Sequence, residues 1–334
     1  MKTIKDVAKL AGVSPATVSR VLNNSASVRS STRHKIEQAI KALDFRPNES
    51  ARALVRQNVK TIGVVISELS EPFFAQMAAS IEATAKKHNY RVLISTGSLD
   101  ANKEKSAIES LIAQQCTALV VNSKVLPDHD LIQFANNNPG FVLINKYVEQ
   151  IKHRCVWFDN ELGGELLAKQ ALTKGHKSIA VVMARQKAHD SSRRLKGVRR
   201  AFDSFGQRLS LKDIYHASPD FKGGQHALTR ILKSDKQYTA VLCYNDMVAS
   251  GVLAQLSSLK YSVPNDMSVI GFDDVLIANY CSPKLTTIKY PIDVMAQKAT
   301  DLSLSLISAN ESQLNANGYC YKPYAVQRQS VARV

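Results

Sequence analysis

Residues 3 to 23, TIKDVAKLAGVSPATVSRVLN, constrain this chain more than any other stretch, because they read as two short helices joined by a tight turn. Thr3 is placed to cap the first helix, with Asp6 three residues on, where a carboxylate favours a helix N-terminus. Val7, Ala8, Leu10 and Ala11 give that helix an apolar face, and Gly12 supplies the permissive backbone of a tight turn. Ser14 caps a second helix whose first residue is Pro15, a position where the missing N–H would have had no helical partner anyway. Val18, Val21 and Leu22 fall at helical spacing and face inward. Pro15, Ala16, Thr17, Ser19 and Arg20 are left on the outer face near the N-terminal end, where such helices meet base edges. An ordinary helical hairpin shares this outline, so the charge around it has to decide.

The chain has 334 residues and a formal charge of +16, unevenly spread. Residues 1 to 60 hold 12 Lys and Arg against 4 Asp and Glu, so half of the net charge sits in under a fifth of the length. A compact basic segment displaces counterions from a polyanion, the electrostatic part of nucleic-acid binding. Charge and motif together predict a DNA-binding domain. The five cysteines, Cys116, Cys155, Cys243, Cys281 and Cys320, are far apart and never in a C-x-x-C arrangement, which indicates neither a disulfide framework nor a zinc site. Each reads as a small apolar residue in a reducing compartment. Residues 1 to 30 lack the apolar core of a signal peptide and no later run approaches a membrane span, so a cytoplasmic protein with no membrane partner is expected.

A third helix is predicted from Ser30 or Ser31 through Ile36, Ala39, Ile40 and Leu43, ended by Pro47. The segment 48–56, NESARALVR, is made of helix formers yet is too short to be stable alone. The expected division is therefore 1–47 for the helix-turn-helix domain, 48–60 for a hinge helix and linker, and 61–334 for the remainder. Within that remainder, short β-branched runs alternate with helical stretches. The runs are IGVVI (62–66), RVLIS (91–95), ALVV (118–121), FVLI (141–144), IAVVM (179–183), AVLCY (240–244) and SVIGF (268–272). Unbroken apolar runs indicate strands buried on both faces, and their alternation with helices indicates parallel sheets. So long a pattern implies two similar α/β subdomains with a cleft between them, the first ending near Val156.

These features resemble the lactose–galactose family of bacterial repressors over essentially the whole chain. The resemblance rests on the helix-turn-helix wording, the ARALV hinge segment, and the strings SEPFFAQM (70–77), VLINK (142–146), CYNDMVASG (243–251), GFDDVLIANY (271–280) and LTTIKYP (285–291). The later strings are most similar to galactose-responsive members. The resemblance implies a core like that of periplasmic binding proteins, and a homodimer on a pseudo-palindromic operator that D-galactose releases.

For DNA it implies base contacts from Pro15, Ala16 and Arg20, and Arg20 could fork onto guanine O6 and N7, worth roughly 1–3 kcal/mol of discrimination. Pro15 and Ala16 offer only apolar contact. Thr3, Ser14, Thr17, Ser19 and Asn23 become phosphate contacts that set register, and Leu54 a wedge in the minor groove. For the effector it implies Arg194, Asn245 and Asp273 as polar contacts, since a guanidinium fork or a carboxylate holds two vicinal hydroxyls at once. Phe73, Phe74, Phe158 and Tyr290 become apolar walls, with Asn145 at a position often taken by aspartate. Alternatives stay open: family members also answer to ribose, other hexoses or a purine co-repressor. A stand-alone sugar-binding protein would have no use for residues 1 to 60. An enzyme is disfavoured, because no phosphate loop, metal spacing or nucleophile elbow occurs and nothing pairs with Asp159, Asp190 or Asp273 in sequence. No cofactor, metal or catalytic residue is expected.

Overall fold

The computed structural model describes residues 3–22, 28–45, 60–185, 189–308 and 315–334. Asn23, Leu54 and the expected hinge helix 48–56 lie outside the described residues. The chain divides into two compact units, Met1–Val59 and Lys60–Val334.

The smaller unit contains α1 (Ile4–Ala11), α2 (Pro15–Leu22) and α3 (Ser30–Ala42). The Asp6 carboxylate accepts from the Thr3 backbone N–H at 2.7 Å and from its hydroxyl at 2.9 Å, which fixes the start of α1. Gly12 ends that helix at φ 66°, in the left-handed region. The Ser14 hydroxyl accepts from the Thr17 N–H at 3.2 Å and opens α2. Val7, Ala8, Val18, Val21, Ile36 and Ala39 form the core. Leu10, expected on the apolar face of α1, is 56% exposed. At 100° per residue it falls about 60° outside the arc from Val7 to Ala8 that contains Ile4 and Ala11.

The larger unit is built on two parallel sheets. The first runs in the order β2 (Arg91–Thr96), β1 (Thr61–Ile66), β3 (Ala118–Val121), β4 (Gly140–Ile144), β5 (Cys155–Phe158), β11 (Tyr319–Tyr321), and every neighbouring pair is parallel. Helices α4 (Pro72–Lys87), α5 (Ala101–Ala113), α6 (Asp128–Asn137) and α12 (Ile292–Ile307) cover it. The second sheet is ordered β7 (Ile214–Ala217), β6 (Ile179–Ala184), β8 (Ala240–Cys243), β9 (Ser268–Ile270). It packs with α7 (Asn160–Leu172), α8 (His189–Ser204), α9 (Phe221–Leu232), α10 (Asp246–Ser258) and the short α11 (Ile277–Tyr280). Strands β3, β4, β6 and β8 are buried at every residue, the cost of their continuous apolar runs being met by helices on both faces.

The boundary near Val156 needs correction. Strand β5 continues to Phe158, and the first lobe takes back α12 and β11 from the far end of the chain. The chain therefore passes between the lobes three times: after Phe158, after β10 (Thr287–Lys289), and between β11 and β12 (Tyr324–Val326). The crossings brace one another, with β10 antiparallel to β12 and the Asp159 N–H donating to the Tyr321 carbonyl at 3.0 Å.

Helices α7 and α8 approach closely enough that backbone meets backbone. A Cβ on Gly164 would lie 1.9 Å from the Arg194 carbonyl oxygen, and one on Gly197 would lie 1.8 Å from that of Glu161. Neither oxygen can swing aside as a side-chain tip can. Gly164→Ala should therefore destabilise the unit by about 1–3 kcal/mol or more, read as a lowered melting temperature. A wild-type melting curve would show that the helices can part freely.

Candidate functional site

The outer face of α2 carries Pro15, Ala16 and Arg20 as exposed side chains, with Thr17 and Ser19 half-buried beside them. Thr3 and Ser14 sit at the first turns of α1 and α2. Ser14 Oγ lies 2.9 Å from Thr17 Oγ1, so these two hydroxyls already engage one another while remaining at the surface. Arg20 lies in the last turn of α2, with its guanidinium exposed on the same surface as the first-turn side chains Pro15 and Ala16.

The larger unit encloses a cavity of about 390 Å³ between its lobes. Its wall gathers Ser67, Glu68, Ser70, Glu71, Phe73 and Phe74 from the loop after β1 and the start of α4, and Lys124 from the loop after β3. From the second lobe come Asp190 and Arg194 on α8, Asp220 before α9, Tyr244 and Asn245 after β8, and Asp273 after β9, with Tyr290 at the second crossing. Six of the expected effector residues thus line one space: Phe73, Phe74, Arg194, Asn245, Asp273 and Tyr290.

Asn145 and Phe158 stand one layer behind that wall. Asn145 Oδ1 accepts from the Tyr290 hydroxyl at 2.9 Å, and its Nδ2 donates to Asn122 Oδ1 at 3.0 Å. The Phe158 ring stacks on that of Tyr290 with centroids 3.8 Å apart and planes 17° apart. Both position Tyr290, whose ring makes a T-shaped contact with that of Phe73, centroids 5.0 Å apart.

Arg194 is 3% exposed and largely engaged by the protein. Its Nε donates to Asn160 Oδ1 at 2.9 Å and Nη1 to the Tyr244 carbonyl at 2.7 Å, while its plane lies 3.7 Å over the Phe272 ring. Nη2 stands 3.8 Å from Asp190 and 3.7 Å from Asp273, leaving one edge of the fork toward the cavity. Asn245 also does structural work. It accepts from the Val248 N–H and donates to the Pro219 carbonyl, both at 2.9 Å, which leaves it one donor and part of its acceptor capacity.

Asp190 and Asp273 face the same guanidinium but differ in partners. Burial opposes ionisation of Asp190, yet the Lys124 and Arg194 cations and the Tyr244 hydroxyl hold its carboxyl well below the ordinary range. Asp273 is pushed up to about 7 by burial, against the pull of Arg194 and Lys124. Its backbone sits at φ 107°, unfavourable for a side-chain-bearing residue, and is held there by its N–H to Ile288 and its carbonyl to Tyr290. Asp246 secures the same loop, accepting from the Val275 N–H at 2.9 Å and the Thr287 hydroxyl at 2.6 Å. Glu71 is likewise raised to about 7, by burial and by the neighbouring Glu68 and Asp220. Lys124, Asp190, Tyr244, Glu71 and Asp220 escaped the effector reading of the sequence. The signal available was position: in parallel sheets, ligands meet the loops at the carboxyl ends of strands.

Residues 3–48 match the model of the lacI family of bacterial regulatory proteins, and residues 168–331 that of the periplasmic binding protein-like domain. The HTH-type transcriptional regulator GalS of Salmonella typhimurium is 42% identical over 332 residues, covering 99% of this chain and 97% of the relative. The chain belongs to the lacI family of regulators. The HTH-type transcriptional regulator GalR of Escherichia coli is 39% identical, covering 99% of this chain and 96% of the relative. The crystal structure of the Lac repressor dimer bound to operator and the anti-inducer ONPF aligns with a TM-score of 0.84 at 26% identity, covering 99% of both chains. The relatives are regulators rather than enzymes, as the absence of a paired base and nucleophile in the sequence leads one to expect. No described helix is long and apolar enough to cross a membrane.

The Asp273 carboxyl generates a pH prediction. Its folded value of about 7 lies above the ordinary 3.8, so between those values the folded state keeps a proton that the unfolded chain has lost. The stability this gives falls as pH rises through that window. Asp273→Asn should therefore raise the melting temperature relative to wild type most at pH 8 and have a much smaller effect at pH 4. An equal shift at both values would show that Asp273 titrates normally.

Proposed function

We propose that the protein is a DNA-binding transcriptional repressor, dimeric and cytoplasmic, whose operator affinity is lowered by D-galactose. The observation that carries the effector reading is the cavity wall. An under-bonded carboxyl (Asp273) and one edge of a guanidinium (Arg194) line the same cavity as the aromatic pair Phe73 and Tyr290. A pyranose presents vicinal hydroxyls on its rim and C–H bonds on its face, and this wall offers acceptors and donors for the first and rings for the second. Similarity to GalS and GalR along nearly the whole chain supports the sugar, and similarity to a repressor dimer on operator supports the partner and assembly.

In this reading Arg20 forks onto a guanine, Pro15 and Ala16 make apolar base contacts, and Thr3, Ser14, Thr17, Ser19 and Asn23 hold phosphates. Leu54 wedges the minor groove at the centre of a pseudo-palindromic site. Asn245 joins Asp273 and Arg194 at the sugar, with Phe74 beside Phe73. Asn145 and Phe158 act through Tyr290. Galactose favours a lobe arrangement that separates the two hinge segments, and a coupling of roughly 1–3 kcal/mol suffices.

A thermal-shift panel of D-galactose, D-fucose, glucose, ribose, lactose and hypoxanthine tests the effector. Ligand at 100 times its dissociation constant should stabilise the protein by about 2.7 kcal/mol. Shifts with galactose and fucose alone are expected, and shifts with ribose or hypoxanthine alone would overturn the sugar. Arg20→Ala should weaken operator binding by roughly 1–3 kcal/mol and leave the galactose shift unchanged. Undiminished operator binding by that variant would remove the major-groove assignment.

A further inference from the structure

A buried carboxylate outside the cavity is bound to the loop that supplies its lysine. Glu104, on α5, is 1% exposed. It accepts from the Ser123 hydroxyl at 2.7 Å and from the backbone N–H groups of Lys124, Val125 and Leu126 at 3.0, 3.4 and 3.1 Å. A buried charge is tolerable when such a set of donors replaces water. The helix can come this near because residue 97 is glycine, where a Cβ would lie 2.4 Å from Glu104 Cγ. From the other side, Lys146 Nζ donates to the Leu126 carbonyl at 2.7 Å. The loop 123–126 is thus fixed in the first lobe, and the Lys124 side chain leaves it to reach Asp190 in the second.

Asp190 is already well supplied with donors. It receives Lys124 Nζ, the Tyr244 hydroxyl at 2.9 Å and the Ser191 N–H at 2.9 Å, with Arg194 Nη2 at 3.8 Å. Its role is to hold these groups rather than to read a ligand, whereas Asp273 keeps its carboxyl available. An ammonium has three donors, so Lys124 retains capacity toward the cavity it lines.

We propose that Glu104 is a positioning residue that acts through Lys124: it aims the ammonium across the cavity onto Asp190, and the ion pair ties the two lobes together. The part of this that concerns ligand affinity rests on the cavity being the effector site. The tie between lobes does not.

The test uses the full-length protein, with Glu104→Gln, Lys124→Met and the double variant. Ser123→Ala, which removes one of the four donors, serves as the milder second probe. Without ligand, hydrogen exchange is followed in the first turn of α8 (189–193), which belongs to the opposite lobe. Each single variant should speed exchange there, and the double variant should exchange no faster than Lys124→Met. With D-galactose, Lys124→Met should weaken binding about tenfold, and Glu104→Gln should add nothing in that background. Faster exchange confined to the loop 123–126 would overturn the proposal, as would full additivity of the two substitutions. If the wild type bound none of the sugars, the effector reading would fail while the exchange arm still decided this one.

Discussion

A guanidinium taken out of water costs several kcal/mol unless its partners replace the lost hydration, and Arg194 is such a group. Its compensation is spread over the whole second lobe: an amide on α7, a carbonyl at the end of β8, the Phe272 ring beyond β9, and two carboxyls at the cavity. These come together only if α7 and α8 touch through their glycines, because Asn160 opens α7 and Arg194 lies in the second turn of α8. The close helix contact and the cavity's charge are therefore one design. The packing that looks purely structural is what turns one edge of the fork toward a ligand.

The cavity's place follows from sheet topology. All strands of both sheets are parallel within their sheet, so their carboxyl ends open onto one side. Most lining residues lie just beyond such an end: Ser67 after β1, Lys124 after β3, Ser218 after β7, Tyr244 after β8, Asp273 beyond β9. Tyr290 is different, since it sits on a crossing between lobes. Its hydroxyl donates to Asn145 of the first lobe and its N–H to the Asp273 carbonyl of the second. A ligand resting on that ring touches a residue bonded to both lobes, the local condition for hinge motion to follow binding.

Much of this fold was legible because its signals are local. The capping carboxylate at Asp6, the turn glycine and the unbroken apolar strands are each written in fewer than ten consecutive residues. Strand β5, CVWF, is absent from the runs read in the sequence, and so is β7, IYHA, whose apolar run His216 interrupts. The return of α12 and β11 to the first lobe has no local signal at all, since it depends on distant chain: Tyr319 of β11 pairs with Val156 of β5, 163 positions away. The same distinction governs the site. Residues carried by a recognisable string were found, while Lys124 and Asp190, 66 positions apart, acquire meaning only from meeting. Asn245 was read as a ligand contact, whereas its bonds in the structure make it the cap of α10. Cys320 departs from the reading of the cysteines as apolar core, being exposed, whereas Cys116, Cys155 and Cys243 are buried.

The division between Asp190 and Asp273 also restricts what the cavity accepts. Two carboxyls around one guanidinium cannot both be fully compensated, and here Lys124 settles which one is. The other is left with a raised pKa and Nη2 of Arg194 at 3.7 Å, beyond hydrogen-bond distance. Glu71, Glu68 and Asp220 add further carboxyls on the same wall, crowded enough to raise Glu71 to about 7. An anionic ligand would meet this crowd with Arg194 committed on two of its three nitrogens and Lys124 bonded to Asp190 but keeping donors toward the cavity. A neutral polyol meets it as a set of acceptors short of donors, and each hydroxyl donated to Asp273 favours the ionised form that burial disfavours. A wall of this kind gains most from a ligand that brings hydroxyl protons to its unpaired acceptors.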